Sequence, residues 1–128
     1  MAKPSPSQRR AEIPPGTLDL LILRCISDRP QHGYAIARRI KERSQGTLLA
    51  EEGSLYPALH RLVRLRQVTA EWGTSENNRK ARFYRITAGG RKRLEEDASL
   101  WRRVSSAVTA VLDDQGALPE TGGAACAG

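Results

Sequence analysis

The side chains best suited to recognition chemistry are gathered in one short segment, residues 51–66, which predicts an amphipathic helix. Leu55, Leu59, Leu62 and Val63 recur at helical spacing and form its apolar stripe. The opposite side carries the polar, small and basic residues Ser54, Pro57, His60, Arg61 and Arg64. Such groups can bond to base edges and phosphates when a helix enters a DNA major groove. An ordinary surface helix is the alternative, since basic outer faces are often merely solvated.

Two residues predict how this helix begins. Ser54 can accept a hydrogen bond from an early backbone N–H and is the expected N-cap. Pro57 would then be the third helical residue, where its missing N–H removes no intrahelical bond. The N-terminal half of the helix would therefore be firmly anchored while it faces outward.

Catalytic chemistry finds little support in the sequence. The two histidines, His32 and His60, have no cysteine or carboxylate at the spacing of a metal site or a catalytic triad. Cys25 falls on an apolar helix face, which is unfavourable for a thiolate, and no phosphate-binding glycine loop occurs. We therefore predict a protein that is not an enzyme and uses no metal or cofactor.

The charge balance points to a polyanionic partner. The chain has 128 residues and a formal net charge of +7, and the segment 17–112 holds 18 basic against 10 acidic residues. Such a surface suits nucleic acid or an anionic membrane surface. No apolar run approaches the roughly 20 residues of a membrane span. The N-terminus has no signal-peptide core, and two cysteines form no disulfide framework. We predict one domain with tails, located in the cytoplasm.

Two helices are predicted before the basic segment. The first spans 17–28, capped by Thr17, and is apolar over more than half its circumference, so that one side could meet a second subunit. The second spans 33–43, and a short connector joins it to the segment 51–66. Two helices joined in this way, the later one with a polar N-terminal face, are typical of a helix-turn-helix. Residues 1–16 hold four prolines and predict a disordered arm.

A β-hairpin is predicted next. Alternating residues indicate strands at 67–72 and 82–87, joined by a turn-rich loop of nine residues. A basic hairpin directly after a helix-turn-helix is a wing, and Arg79, Lys80 and Arg82 suit contacts with phosphates or a minor groove. A solvated loop is the alternative.

The last predicted element is a helix that is capped by Thr87 and runs from about Gly90 to Leu112. Its apolar residues follow the 4-3 spacing of a heptad seam, by which helices pair. Together with the first helix, this seam predicts a dimer interface formed by Leu18, Leu21, Leu94, Ala98, Trp101, Val104, Val108 and Leu112. The alternative is that the seam covers the subunit's own core. The Gly-rich residues 113–128 predict a disordered tail.

Four segments together resemble the PadR family of bacterial transcriptional regulators: GTLDLLILRCI (16–26), HGYAIARRI (32–40), EEGSLYPALHRL (51–62) and RFYRITAGGRKRL (82–94). The resemblance implies a mainly α fold with a small β-hairpin (α+β). In it a winged helix-turn-helix, 17–87, precedes a C-terminal dimerisation helix, 88–112. It further implies a homodimer that binds a palindromic operator in double-stranded DNA, represses neighbouring genes and, in some members, is released by a small molecule.

The resemblance also assigns functional positions. The implied operator contacts are Ser54, Tyr56, Pro57, His60 and Arg61, with Tyr34 approaching a phosphate and Arg79, Lys80 and Arg82 forming the wing. In some short members with a single C-terminal helix, flat aromatic compounds stack on a tryptophan at the dimer interface. Trp101 occupies a comparable place and is a candidate effector-binding residue, although a core position in the dimer is the alternative.

A second class of function stays open at this point, namely a protein-interaction module on a winged-helix scaffold that does not bind DNA. The basic outer face of the segment 51–66 and the basic hairpin argue against it.

Overall fold

The computed structural model describes residues 12–14 and 16–114. Its elements follow in the order α1 (Thr17–Cys25), β1 (Gln31–His32), α2 (Gly33–Arg43), α3 (Glu52–Arg64), β2 (Val68–Thr74), β3 (Lys80–Ile86) and α4 (Ala88–Leu112). This confirms the predicted α+β fold. Most of the predicted arm, 1–16, and most of the predicted tail, 113–128, lie outside the described residues. Within the described part of the chain, no helix combines the length and apolar character needed to cross a membrane.

The chain forms two compact units, one ending at Glu96 and one beginning at Asp97, and α4 contributes to both. The core of the first unit is formed by α1, α2, α3 and the inner face of the sheet. Its most deeply buried large side chains are aliphatic: Ile22, Leu23, Ile26, Ile36, Leu55, Leu59, Leu62 and Val68. The three leucines of α3 recur at the predicted helical spacing, so their burial fixes which side of α3 faces outward.

Helix α1 is shorter than predicted, and Thr17 does not cap it. The N-cap is Gly16, whose φ of 84° lies in the left-handed region that glycine adopts without strain. At the other end, the backbone N–H and the hydroxyl of Ser27 both donate to the carbonyl of Arg24. These bonds close the last turn, so the helix ends at Cys25 instead of residue 28.

The predicted start of the third helix is also wrong. Glu51, in an extended conformation, is the N-cap, and its carbonyl accepts hydrogen bonds from the backbone N–H groups of the third and fourth helical residues. Ser54 is therefore the third residue of α3, and Pro57 is the sixth. At that position proline removes a hydrogen bond that the carbonyl of Gly53 would otherwise accept.

The sheet is antiparallel, with strand order β1-β3-β2. The sequence did not predict β1, whose two residues pair with Tyr84 and Phe83 of β3, because a strand of two residues shows no alternation. β2 and β3 extend further toward the hairpin tip than predicted, since Thr74 pairs with Lys80. Lys80 was predicted in the loop, and its direction is instead fixed by a strand.

The remaining turn, 75–79, is tight. The backbone N–H of Ser75 donates to the carbonyl of Arg79 at 2.8 Å, and Asn78 donates to the carbonyl of Ser75 at the same distance. Asn78 has a φ of 60°, a left-handed conformation that asparagine adopts more readily than most residues. The tip of the hairpin is thus held by its own hydrogen bonds.

Thr87 caps α4 as predicted. Its hydroxyl accepts from the backbone N–H of Gly90 at 3.1 Å and donates to the carbonyl of Arg66 at 2.8 Å. The helix begins at Ala88, two residues earlier than predicted. A side chain at position 90 would collide with the carbonyl oxygen of Gln67, so glycine permits a close approach between α4 and the turn after α3.

One buried carboxylate joins three helices. Asp19 of α1 is 3% exposed. Its Oδ1 accepts from Nη2 of Arg61 on α3 at 2.6 Å, and its Oδ2 accepts from Nη2 of Arg93 on α4 at 3.3 Å. Arg93 also donates to Oε1 of Gln67 at 2.7 Å. Because a buried carboxylate is unfavourable without such partners, this cluster fixes α1, α3 and the first turns of α4 together.

Replacement of Asp19 by alanine should lower the free energy of unfolding by roughly 2–4 kcal/mol, because three charge-assisted hydrogen bonds from two arginines are lost and both guanidinium groups face a vacated position. Urea titration followed by circular dichroism measures this change. Asp28→Ala is the matched control, since Asp28 pairs with Arg39 at 3.2 Å on the surface and should matter much less. Equal losses in the two variants would contradict the anchoring role of Asp19.

Candidate nucleic-acid interface

The outward side of α3 presents the residues that were predicted to contact DNA. The inward positions Leu55, Ala58, Leu59 and Leu62 are buried, so the intervening positions point away from the core. All the predicted contact residues of α3 are exposed: Ser54, Tyr56, Pro57, His60, Arg61 and Arg64. Because Ser54 lies inside the helix rather than at its N-cap, capping does not occupy its hydroxyl. This face therefore offers hydroxyl, phenol, imidazole and guanidinium groups over about three turns.

Arg61 differs from its neighbours on this face. Its Nε and Nη2 both donate to Asp19, at 3.4 and 2.6 Å, and these hydrogen bonds raise the pKa of the guanidinium above its ordinary value. About 45% of the side chain nevertheless remains exposed. The structure thus gives Arg61 a part in holding α3, while its predicted contact with DNA stays a prediction.

The N-terminus of α2 carries Tyr34, the predicted phosphate contact. His32 is the N-cap, and its Nδ1 accepts from the backbone N–H of Ala35 at 3.2 Å. Tyr34 is 67% exposed, and its ring centroid lies 5.7 Å from the guanidinium carbon of Arg38. Helix N-termini attract phosphate through unpaired N–H groups and the positive end of the helix dipole. An exposed phenol at this end can therefore add a hydrogen bond to a bound phosphate.

A cleft of about 290 Å³ joins α2, α3 and the hairpin. Its polar lining consists of His32, Tyr34, Tyr56, Lys80, Arg82 and Tyr84. Gly33 lets the Tyr56 phenol lie close to the start of α2, because a Cβ there would lie 2.6 Å from the phenol oxygen. Burial raises the pKa of the Tyr84 phenol still further above neutral, and a protonated phenol can donate a hydrogen bond. The cleft therefore combines two cations with phenol and imidazole groups.

The hairpin directs its cations to one face. The register places Trp72 opposite Arg82 and Thr74 opposite Lys80, so all four side chains lie on the same side of the hairpin. The cationic groups of Lys80 and Arg82 lie 5.2 and 5.5 Å from the ring centroid of Trp72. Arg79 is exposed in the turn. The structure thus brings the predicted wing residues together at the tip and along one strand.

The second unit exposes a stripe of large apolar side chains on α4. These residues are between 50% and 76% exposed: Leu100, Trp101, Val104, Val108, Val111 and Leu112. A contiguous exposed apolar surface of this kind is typical of a protein interface. Leu18, Leu21 and Leu94, also predicted at the dimer interface, pack partly against the first unit's own core. Their burial is thus explained in part within the subunit.

A second cavity, of about 440 Å³, lies between the C-terminal ends of α1 and α2. Arg39 on its wall bonds to Asp28 and to the carbonyl of Cys25, and the hydrogen bond from Arg39 lowers the pKa of the Asp28 carboxyl. Cys25 is 8% exposed, in agreement with the predicted core position, and burial raises the pKa of its thiol. A protonated, buried thiol is a poor nucleophile.

Several contributing residues were missed by the sequence analysis. Asp19 carries a signal that could have been noticed, since an acid within an otherwise apolar helix needs a partner. No local pattern identifies the partners of Asp19, because Arg61 and Arg93 lie 42 and 74 positions further along the chain. Trp72 lies at the end of the predicted strand 67–72, but its contacts with the wing cations depend on the pairing register and could not be predicted.

The helix pair α2–α3, with its exposed outer face, and the basic hairpin β2–β3 define a winged helix-turn-helix of the DNA-binding type. Comparison with known proteins identifies the family of this chain. Residues 22–96 match the profile described as "Transcriptional regulator PadR-like family". The chain belongs to the PadR-like family, whose members are transcriptional regulators rather than enzymes.

Individual relatives agree with this assignment. An uncharacterised protein of Lysinibacillus sphaericus is 30% identical over 104 residues, which is 81% of this chain and 95% of the relative. The crystal structure of a PadR family transcription regulator from Clostridium difficile superposes with a TM-score of 0.66 at 26% identity, covering 76% of this chain and 99% of that one. A PadR-like transcriptional regulator from Bacillus cereus gives 0.68 at 29% identity, with 78% and 95% covered.

Pro57 provides a test of how α3 is built. Pro57→Ala should stabilise the protein by about 1 kcal/mol, because the Gly53 carbonyl regains a hydrogen-bond donor. The effect should be smaller than for a proline in mid-helix, since the position lies in the second turn. Thermal unfolding measures it, with Ser54→Ala as a control that leaves the backbone bonds unchanged. A destabilised Pro57→Ala protein would show that the ring itself is needed for packing.

Proposed function

We propose that this chain, a DNA-binding transcriptional regulator by family, acts in the cytoplasm as a homodimeric repressor that binds a palindromic operator. The observation that carries the proposal is one cleft on which Tyr56 from the exposed face of α3, the N-terminus of α2 and the basic hairpin converge. In the proposed complex α3 enters the major groove, while the other two elements hold the backbone on either side.

The proposed roles follow from chemistry and placement. His60, Ser54 and Tyr56 read base edges or thymine methyl groups, because they occupy the exposed side of α3. Tyr34 and the wing cations contact phosphates, which fixes the register of the protein on DNA but carries no sequence information. We assign Arg61 mainly to holding α3 through Asp19, because two of its nitrogen atoms are already engaged there.

The homodimer is proposed to form through the apolar stripe of α4. Two copies of α3 related by a twofold axis would then enter successive major grooves about 34–36 Å apart, which explains why a palindromic operator is expected. If the dimer neutralises about 6–10 phosphates, its affinity should fall steeply as salt rises. Trp101, half exposed on the stripe, is the residue we assign to stacking of a flat aromatic effector, which quenching of its fluorescence by such compounds would test.

Base reading and phosphate contact can be separated with two duplexes. Sequencing of genomic fragments bound by the purified protein would supply the operator, and a scrambled duplex of the same composition serves as the reference. His60→Ala and Tyr56→Ala should each weaken operator binding by roughly 5- to 100-fold while leaving scrambled binding nearly unchanged. Arg79→Ala should weaken both by a similar factor, because phosphate contacts are independent of sequence.

Gel-shift titrations at fixed salt give these affinities. Equal losses on both duplexes for His60→Ala and Tyr56→Ala would refute their base-reading role. Failure of the wild-type protein to bind any fragment, with a protein partner co-purifying instead, would favour the interaction-module alternative.

The dimer proposal is tested on the exposed stripe of α4. Val108→Glu places a charge at a position that is 50% exposed in the isolated chain and that dimerisation would bury. Sedimentation equilibrium should then give the subunit mass of 14.1 kDa instead of twice that value, and operator affinity should fall together with dimerisation. Ala110→Glu is the matched control, because residue 110 lies on the opposite side of the helix from the seam. An unchanged dimer in Val108→Glu would refute this interface.

A further inference from the structure

We propose that Trp72 is a positioning residue for DNA binding, whose ring holds the side chains of Lys80 and Arg82 ready for a backbone phosphodiester. This inference rests on the proposed function and adds to it a residue that neither the sequence pattern nor the family assignment singles out. Its starting point is the pair of ring contacts at the hairpin, where both cationic groups lie within 5.5 Å of the same ring centroid.

The register explains why these three side chains meet. Trp72 of β2 is paired with Arg82 of β3. Lys80 precedes Arg82 by two residues and therefore lies on the same face of the strand. Nearest neighbours across an antiparallel pair lie close enough for side-chain contact, and diagonal neighbours are within reach of long side chains. The arrangement is therefore set by strand pairing and needs no contact with the core.

The exposure of Trp72 argues against a purely structural role. The ring is 61% exposed. On the same face, nearer the base of the hairpin, Val68 and Tyr84 are 1% and 4% exposed and form the contact with the core. A large apolar ring that stays in solvent gains little from burial, whereas a ring face attracts cations directly. The contacts with Lys80 and Arg82 are therefore the main interactions of the Trp72 ring.

The two cations remain available to an anion. Among the described residues, the ion pairs do not include Lys80 or Arg82. Glu71, the acid of β2, lies on the other face of the hairpin and pairs with Arg85 at 3.7 Å. Both cations also line the cleft beside Tyr34 and the start of α2. A phosphate in that cleft would meet cations that are unpaired and already directed toward it.

The physical benefit is preorganisation. Lysine and arginine side chains have many rotamers, and fixing them on a phosphate opposes binding through lost conformational entropy. Contact with the Trp72 ring restricts those rotamers before DNA arrives, so less freedom is lost in the complex. Removal of the ring should weaken sequence-independent binding although no charge has been removed.

Affinity for a fluorescein-labelled duplex of mixed sequence and about 30 base pairs, long enough for two half-sites, measures this effect by anisotropy. Trp72→Leu should weaken binding by roughly three- to tenfold, and Trp72→Phe, which keeps a ring of weaker cation affinity, should lose less. Glu71→Gln is the matched hairpin control and should not weaken binding. Thermal unfolding of each variant verifies that the hairpin still forms.

A double-mutant cycle separates positioning from a general change in the hairpin. Lys80→Gln should weaken binding in the wild-type background and clearly less in the Trp72→Leu background, since the ring and the cation act together. The control cycle pairs Trp72→Leu with Arg64→Gln on α3, for which additive losses are expected. In the free protein, NMR should show side-chain methylene protons of Lys80 and Arg82 shifted by the ring current, with the shift lost in Trp72→Leu.

The outcomes distinguish this inference from the proposed function. If the wild-type protein binds DNA and Lys80→Gln weakens it, while Trp72→Leu binds like wild type or the cycle with Lys80 is additive, the positioning role is refuted and the proposed function stands. If the wild-type protein binds no duplex, or Lys80→Gln and Arg82→Gln bind like wild type, the proposed DNA contact of the wing fails and the positioning role fails with it.

Discussion

The buried carboxylate of Asp19 is the constraint on which the arrangement of helices in the first unit depends. Burial of a carboxylate without a partner is strongly unfavourable, so the fold must place cations beside Asp19. Arg61 arrives from α3 and Arg93 from α4, and their bonds to one carboxylate fix the orientation of α3 about its own axis. The hydrophobic stripe of α3 alone would tolerate small rotations, because burial of apolar surface is not directional.

Two close approaches at glycine residues complete the packing of the first unit. Because Gly33 has no side chain, the Tyr56 phenol can lie against the start of α2. Because Gly90 has none, α4 can approach the turn after α3. The sheet contributes in a different way, since β1 joins the N-cap residue of α2 directly to β3. The cleft between α2, α3 and the hairpin is therefore bounded by hydrogen-bonded backbone on two sides.

Membership of the PadR-like family makes this chain a DNA-binding transcriptional regulator. The structure changes the expected setting of two residues of α3. Arg61, which by position belongs to the outer face of α3, is shared with the buried cluster. Pro57, expected where it would be harmless, interrupts a hydrogen bond in the second turn of α3.

The sequence alone determined the class of fold and most element types, because helical periodicity, strand alternation and turn residues are local properties of the chain. The 4-3 spacing of the α3 leucines, the Thr87 cap and the basic hairpin all needed only neighbouring residues to be recognised. Helix ends were harder to predict from the sequence. The N-caps of α1 and α3 are Gly16 and Glu51 instead of the expected Thr17 and Ser54. Several polar residues near a helix start can act as its N-cap, and the surrounding packing selects among them. Tertiary structure alone decided the partners of Asp19, the two-residue strand β1, the cleft and the contacts of Trp72. Each of these joins residues that are distant in the chain or depends on strand register, and no local pattern specifies such a pairing.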